Sequence, residues 1–312
     1  MILGIDTSCY TTSLAIVDYN GVALADCRQL LQVPDGACGL AQSQALFLHL
    51  AQFPQLLQQV YQIVDNKKIK GICASTRPRP VEGSYMPVFR VGGSIARMLA
   101  DTLNVPFAAT SHQEGHLQAA LWSLDKPLDE EEFLALHLSG GTGEVLHVKR
   151  QKGAFAITII GDSDLAAGQY IDRIGVAMGL PFPAGSHLEK LARQATGPPI
   201  KLPVSVKENH IYFNGPQSAA KRLLDQGEDF NRLAWAVLIN IADSLAQAMI
   251  FISRQSGIKK VLLAGGVMAN SIIKERLLTQ LNDHAELYFA RADYAGDNAV
   301  GVALLGRDII HK

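Results

Sequence analysis

The sequence predicts an α/β protein of two lobes with a cleft between them, and three observations carry that prediction. A strand, a small polar turn and an antiparallel meander open the chain; the same order restarts at Phe133; and each meander leads into helices alternating with single apolar strands. Residues 2–5 (Ile-Leu-Gly-Ile) read as a buried strand with Asp6 at its end. Ser13–Asp18 is the second strand, Asn20-Gly21 the hairpin turn, and Val22–Cys27 the third strand. Leu46, Leu50, Phe53, Leu57, Val60 and Val64 recur at helical spacing over residues 43–64, where Pro54 is expected to kink or split the helix. Ile69–Cys73 reads as the next strand. Three prolines and two arginines over residues 77–87 argue against regular structure there. A helix then starts at the glycine pair after Val91, followed by a short strand at Pro106–Thr110. Thr110 or Ser111 caps the next helix, which holds His112 and His116. The acidic stretch 124–132 reads as a surface linker.

The second half repeats the plan: Phe133–Leu138 as a strand, Ser139–Gly143 as a turn, Glu144–Lys149 and Ala156–Ile160 as further strands. A long helix over about 231–255, a strand at Lys260–Ala264, a helix after Gly265-Gly266, a strand at Glu286–Ala290 and a last helix from Asp297 complete it. The halves share no clear identity, so this is an architectural echo, not a sequence repeat. Two such halves describe the architecture of actin, sugar kinases and heat-shock chaperone ATPases. That is the actin-like ATPase (ASKHA) fold, two RNase H-like lobes whose strand–turn–strand units grip phosphates across a cleft. The expected division is 1–132 for the first lobe and 133–312 for the second, with the last helix (about 297–310) packing back on the first.

A chain of 312 residues with 48% hydrophobic and 18% charged residues can build two cores of ordinary size. The net charge of -1 excludes a global basic signal for nucleic acid, and no DNA partner is expected, although a local basic patch remains allowed. Cys9, Cys27, Cys38 and Cys73 include no CxxC pair, which argues against a disulfide framework or a structural zinc site and fits a reducing cytoplasm. The N-terminus lacks the basic lead and cleavage site of a signal peptide. The apolar segment Leu233–Ile252 is interrupted by Asn240, Asp243 and Gln247, so a buried core helix is expected and no membrane span.

His112 and His116 stand four apart, which on a helix puts both imidazoles on one face, within reach of one ion; two exposed histidines at a helix start give the same spacing. The glutamate between them is out of register for HExxH, so no base role follows from it. Ser139-Gly140-Gly141 and Gly265-Gly266 each follow an apolar strand, where glycines let backbone approach a phosphate or base, or simply make a tight turn. Asp6, Asp172 and Asp297 lie at strand ends or near glycines, as helix caps or as ligands. Arg77, Arg79, Arg90 and Arg97 cluster in or near the proline-rich loop, as a solvated face or as phosphate or RNA contacts.

Taken in order, these segments resemble the TsaD family, the tRNA threonylcarbamoyladenosine synthases once labelled O-sialoglycoprotein endopeptidases, over nearly the whole chain. His112-Gln-Glu-Gly-His116 resembles the metal motif His-x-Glu-Gly-His, and Leu138-Ser-Gly-Gly141 the phosphate turn. Ala166-Ala-Gly-Gln-Tyr-Ile-Asp172 resembles Ala-Ala-Gly-Glu-Ala-Phe-Asp, whose aspartate binds the nucleotide ribose. Phe182-Pro-Ala-Gly185-Ser-His-Leu-Glu189 resembles the following Tyr-Pro-Gly-Gly segment. Ala264-Gly-Gly-Val-Met-Ala-Asn270 resembles the adenosine motif, and Gly296-Asp297-Asn298 resembles Thr-Asp-Asn, whose aspartate is the third metal ligand.

The resemblance implies transfer of a threonylcarbamoyl group from threonylcarbamoyl-adenylate to the N6 amino group of an adenosine in tRNA. It implies one divalent ion, iron or zinc, on His112, His116 and Asp297, acting as a Lewis acid on the acyl donor and its phosphate. ATP, AMP or the acyl-adenylate would lie against Leu138, Ser139, Gly140, Gly141, Asp172, Gly185, Glu189, Gly265, Gly266 and Asn270. Asp6, Thr7 and Ser8 would stand beside the reacting group as catalytic residues. TsaB-like and TsaE-like proteins would be partners. The chain departs from the pattern at Ser139-Gly-Gly-Thr-Gly143, which lacks a histidine; at Asp6-Thr-Ser-Cys-Tyr-Thr-Thr12, which lacks two acids; and at Ser75–Ser84, which replaces a Gly-Pro-Gly loop. These departures mark a divergent paralogue whose acyl group and acceptor stay open. A carbamoyltransferase of HypF or TobZ type with a non-tRNA acceptor and a non-catalytic nucleotide-binding partner are the other two readings. A protease lacks a nucleophile–base pair.

Overall fold

A computed structural model of the chain describes residues 1–8, 10–151 and 154–311; Cys9 lies outside the described residues. In the first lobe β1 (Ile2–Ser8), β2 (Thr11–Val17) and β3 (Ala23–Leu30) form the antiparallel meander. β4 (Gly71–Arg77) and β5 (Phe107–Ser111) add in parallel on the other side of β1, giving the order β3-β2-β1-β4-β5. α1 (Gln42–Ile63) and α2 (Phe89–Leu103) lay Phe53, Leu56, Val60, Ala96 and Ala100 on Leu3, Ile5, Leu14 and Ile16 of this sheet. Pro54 does not split α1, which runs unbroken for 22 residues. Pro54 is exposed, while Phe53 and Leu56 on the opposite face are held by the sheet, so packing outweighs the one hydrogen bond the proline omits. α2 starts at Phe89, ahead of the glycines, and holds Gly92 within it, where a Cβ would press on the Thr7 side chain. α3 (His112–Trp122) follows β5 directly.

In the second lobe β6 (Glu132–Leu138), β7 (Gly143–Gln151) and β8 (Ala154–Ser163) repeat the meander. α4 (Ala167–Ala177) and α5 (Gly185–Ala192) come next. The short strands β9 (Val206–Lys207) and β10 (His210–Ile211) extend the sheet beyond β8. After α6 (Asn214–Asp225) and α7 (Phe230–Ser256), β11 (Lys260–Ala264) joins β6 in parallel. α8 (Ser271–Leu281) leads to β12 (Glu286–Phe289), parallel to β11, for an order of β12-β11-β6-β7-β8-β10-β9. Read from β8 to β12, this is the first lobe's order again. Among the described residues α7 alone is long and apolar enough to cross a membrane, yet 72% of its apolar window is buried, so it is the core helix of this lobe.

After α9 (Ala292–Ala295), α10 (Val300–Ile310) returns to the first lobe and packs Val302, Ala303 and Leu304 with Ile2, Ala15, Val17 and Cys73. It starts at Val300, not at Asp297. Asn298 Oδ1 accepts from Val300 N at 3.0 Å and Gly301 N at 3.4 Å, which sets the helix start there and leaves Asp297 in the preceding loop.

Candidate functional site

The site forms where α3, the loop before α10 and the end of β1 meet. α3 opens with a capping box: Glu114 N donates to Ser111 Oγ at 3.2 Å, and Ser111 N donates to Glu114 Oε2 at 3.0 Å. Glu114 is thereby committed to the helix start. His112 and His116 lie one turn apart with Nε2 atoms 3.1 Å from each other. α10 crosses α3 so closely that a Cβ at Gly301 would overlap Gly115 O, and this contact of two backbones carries the Asp297 loop onto the histidines. Asp297 Oδ1 stands 3.2 Å from His116 Nε2 and 3.6 Å from His112 Nε2. The three groups present one donor atom each, all within 4.8 Å of one another.

Asp6 is fully buried behind them. Its Oδ1 faces His112 Nδ1 at 3.2 Å and accepts from Ser75 Oγ; its Oδ2 accepts from Ser8 Oγ at 2.6 Å. Burial opposes ionisation of both Asp6 and Asp297, but the histidines outweigh it, and both carboxyls are held below the usual range. His112 shows the converse: burial resists its charge, yet Asp6 and then Asp297 push the ring up to about 9. Thr7 stands apart from this group. Alternation along β1 turns it to the other face, where Thr7 Oγ1 donates to Val88 O at 2.9 Å and accepts from Gly92 N at 3.0 Å. Thr7 ties α2 to the sheet and does not face the cleft.

A cleft of about 470 Å³ runs from this cluster between the lobes, with Tyr10, Thr11 and Asp297 on one wall and Ser139, Gly140 and Gly266 on the other. Asp172, Gly185, Glu189 and Asn270 also line it. Asp172 accepts from Ala184 N at 2.8 Å, and burial raises its carboxyl above the ordinary range. Asn270 Oδ1 caps α8 through Ile273 N at 3.1 Å, and Glu189 accepts from Ser271 N at 3.0 Å and from Ser271 Oγ. Leu138, Gly141 and Gly265 are not on the cleft wall. Leu138 is in the core, Gly141 lies outward on the turn, and Gly265 (φ 97°) is where the turn backbone after β11 meets Leu138 with no room for a Cβ.

The arginines divide. Arg79, from the proline-rich loop, pairs across the lobes with buried Glu144 of β7, which also accepts from Gln113 Nε2 of α3 at 2.8 Å. Arg97 pairs with Asp101 on the surface of α2 at 3.1 Å, and Arg77 and Arg90 are exposed.

Sequence reasoning passes over two further buried histidines. His49 of α1 contacts Thr12 Oγ1 through Nδ1 at 2.8 Å, and burial lowers its ring to about 4. His137 of β6 sits with its ring centroid 4.9 Å from that of His116; burial, with His116 and His112 adding to it, keeps its ring well below the ordinary range. A single polar residue in the apolar run Phe133–Leu138 is the signal that marks it.

The comparisons with known proteins bear on the family and the fold. The family model described as "TsaD: tRNA N6-adenosine threonylcarbamoyltransferase" matches residues 39–304. A protein of Desulforapulum autotrophicum named tRNA N6-adenosine threonylcarbamoyltransferase is 31% identical, over 100% of this chain and 95% of its own length. Among solved structures, HypF of T. kodakarensis superposes with a TM-score of 0.63 at 15% identity, over 99% of this chain and 48% of that one. A ROK family glucokinase from Streptomyces griseus superposes at 0.56 with 11% identity, over 98% and 99%. The fold is that of the actin-like ATPases, as the two strand–turn–strand halves predict.

Proposed function

The chain belongs to the TsaD family of tRNA N6-adenosine threonylcarbamoyltransferases, and on that premise we propose that it transfers the threonylcarbamoyl group of threonylcarbamoyl-adenylate to the N6 amino group of an adenosine in tRNA, with a divalent ion at His112, His116 and Asp297. One observation carries the reading: Asp297 belongs both to the three-donor cluster and to the wall of the cleft, so a nucleotide filling the cleft meets the cluster at its acyl end. Two imidazole nitrogens and one carboxylate oxygen within 4.8 Å suit iron(II) or zinc, and three protein donors leave positions for substrate. When bound, the ion supplies Lewis-acid polarisation of the acyl donor and offsets phosphate charge.

The chain's own groups do the holding. The Ser139–Gly140 turn offers backbone to a phosphate. Asp172, with one oxygen engaged by Ala184, has a second to accept a ribose hydroxyl. Asp6 fixes His112 through Nδ1, so that Nε2 points to the Asp297 side. In the transfer the N6–carbon bond forms, the bond from that carbon to the phosphate oxygen breaks, AMP leaves and the amine gives up a proton. Holding donor and acceptor in register removes much of the entropic barrier. A tRNA-modifying enzyme of this kind works in the cytoplasm beside TsaB-like and TsaE-like partners.

Incubation with tRNA, L-threonine, bicarbonate, ATP and an active partner set should yield threonylcarbamoyladenosine, read by nucleoside mass spectrometry. Its absence with partners shown to be active defeats the reading. One observation favours a second: Tyr10 and Thr11 line the cleft where the resemblance gives two acids. ATP-dependent turnover of carbamoyl phosphate, releasing phosphate and pyrophosphate and then AMP with no need for tRNA, would support a HypF-type carbamoyl transfer instead.

A further inference from the structure

Asp297 reaches the histidines from the segment between β12 and α10, and that segment is held from two sides. At the start of α10, Asn298 Nδ2 donates to the carbonyls of Tyr294 at 3.3 Å and Gly296 at 2.9 Å. The carbonyls of Asp293 and Asp297 meet a residue from the far end of the chain. Arg28 of β3 donates through Nη1 to Asp293 O at 2.7 Å, and the same nitrogen stands 3.5 Å from Asp297 O.

The surroundings fix Arg28 in that pose. Asp26, two residues back on the same face of β3, accepts from Nε at 2.8 Å and from Nη2 on its two oxygens. This fork orients the guanidinium and leaves Nη1 for the loop. The guanidinium carbon also lies 5.4 Å from the ring centroid of Tyr294. Tyr294 in turn meets Trp122, the last residue of α3, edge-on at 4.9 Å and 89°. The loop that carries Asp297 is therefore wedged between β3 and the helix that carries His112 and His116.

We infer that Arg28 is the positioning residue of Asp297: from the edge strand of the first lobe it grips the loop backbone on both sides of Gly296 and holds the Asp297 carboxylate toward His112 and His116. This rests on the metal reading above. An ion accepts ligand distances only within about 0.2 Å, so a loosened loop costs affinity. The sign of the effect separates this role from a simple charge effect. Removing a positive charge beside the cluster favours a cation by Coulomb's law. Removing a brace from Asp297 does the reverse.

Cobalt(II) binding to the purified full chain, followed by visible absorption and chelator competition, tests the assignment. The variants are Arg28→Met, Arg28→Lys, Asp297→Ala and the double variant Arg28→Met with Asp297→Ala. Arg28→Met should bind cobalt about 10-fold more weakly, with an altered d–d spectrum. Arg28→Lys keeps the charge but lacks the fork that serves Asp26 and the loop together, so it should show a smaller loss, which reads the same effect if Arg28→Met does not fold. In the Asp297→Ala background Arg28→Met should cost nothing more, because the group that it places is gone. Wild-type affinity and spectrum in Arg28→Met overturn the inference, even if its melting temperature falls. Tighter binding overturns it too, as does a full further loss in the Asp297→Ala background. Equal cobalt binding by wild type and Asp297→Ala overturns the metal reading, and this inference with it. Weak binding by Asp297→Ala beside normal binding by Arg28→Met leaves the metal reading standing and overturns this inference alone.

Discussion

The two lobes share one strand order and use it differently. β3-β2-β1-β4-β5 and β8-β7-β6-β11-β12 place the same meander and the same parallel additions around a central first strand. In the first lobe the end of β1 carries Asp6 and Ser8, which turn inward to hold His112 and border Asp297. In the second the end of β6 leads into Ser139 and Gly140, which carry no charge and face the cleft. One lobe fixes charged side chains; the other leaves backbone open. The fold supplies two equivalent strand ends, and the residues placed there make one a charged, histidine-facing end and the other an open backbone turn on the cleft. α10 joins them, starting beside the cluster of His112, His116 and Asp297 and packing on the first sheet.

The largest effect is expected at Asp297, which meets both histidines of α3. Asp297→Ala removes one of three donors, so bound metal measured by plasma mass spectrometry should fall below stoichiometry, and transferase activity should drop by more than the ~100-fold that loss of an outer-shell partner costs.

A smaller effect separates the lobes' hidden histidines. The Thr12 hydroxyl donates to Gln52 Oε1, so it accepts from His49, and the buried ring stays neutral. Its folded pKa, about 4, lies below the ordinary 6.5, so its contribution is present above pH 6.5 and lost as pH falls toward 4. Urea unfolding should show up to about 3 kcal/mol of acid-induced loss in wild type that is missing in His49→Leu.

Asp6→Asn keeps the shape of the first lobe's support and removes its charge. Metal affinity by chelator competition should fall about 10–100-fold, while the melting temperature of the metal-free protein also falls because buried His112 loses its carboxylate. A variant that binds normally would make Asp6 a packing residue like Thr7.

The smallest effect concerns the ion pair between the lobes. Arg79→Met leaves Glu144 buried without its cation. Because Arg79 is 43% exposed on its side chain, the loss should be ~1–2 kcal/mol by urea unfolding, below the ~3–5 kcal/mol of fully buried pairs. No change would mean that Gln113 alone satisfies Glu144.

Much of the fold is legible in the sequence because it follows local rules. Apolar runs bounded by glycine and polar residues mark β1, β6 and β11, and helical spacing marks α1 and α7. Of the site, the four-residue spacing of His112 and His116 and the capping Ser111 are readable, since one helix turn settles both. Pro54 and the true start of α10 are not, because burial of Phe53 and Leu56 and the side-chain bonds of Asn298 decide them.

Two lobes, two glycine turns and a pair of histidines on one helical face are encoded locally, by periodicity and short-range spacing. Long-range packing brings Asp297, 181 residues from His116, to 3.2 Å from it. It also decided that Thr7 faces away while Asp6 faces in, that Arg79 reaches Glu144, and that His137 lies beside His116. These depend on how closely α3 and α10 cross at Gly115 and Gly301 and on how the two sheets sit against each other, and no local spacing records a contact between two backbones far apart in the chain.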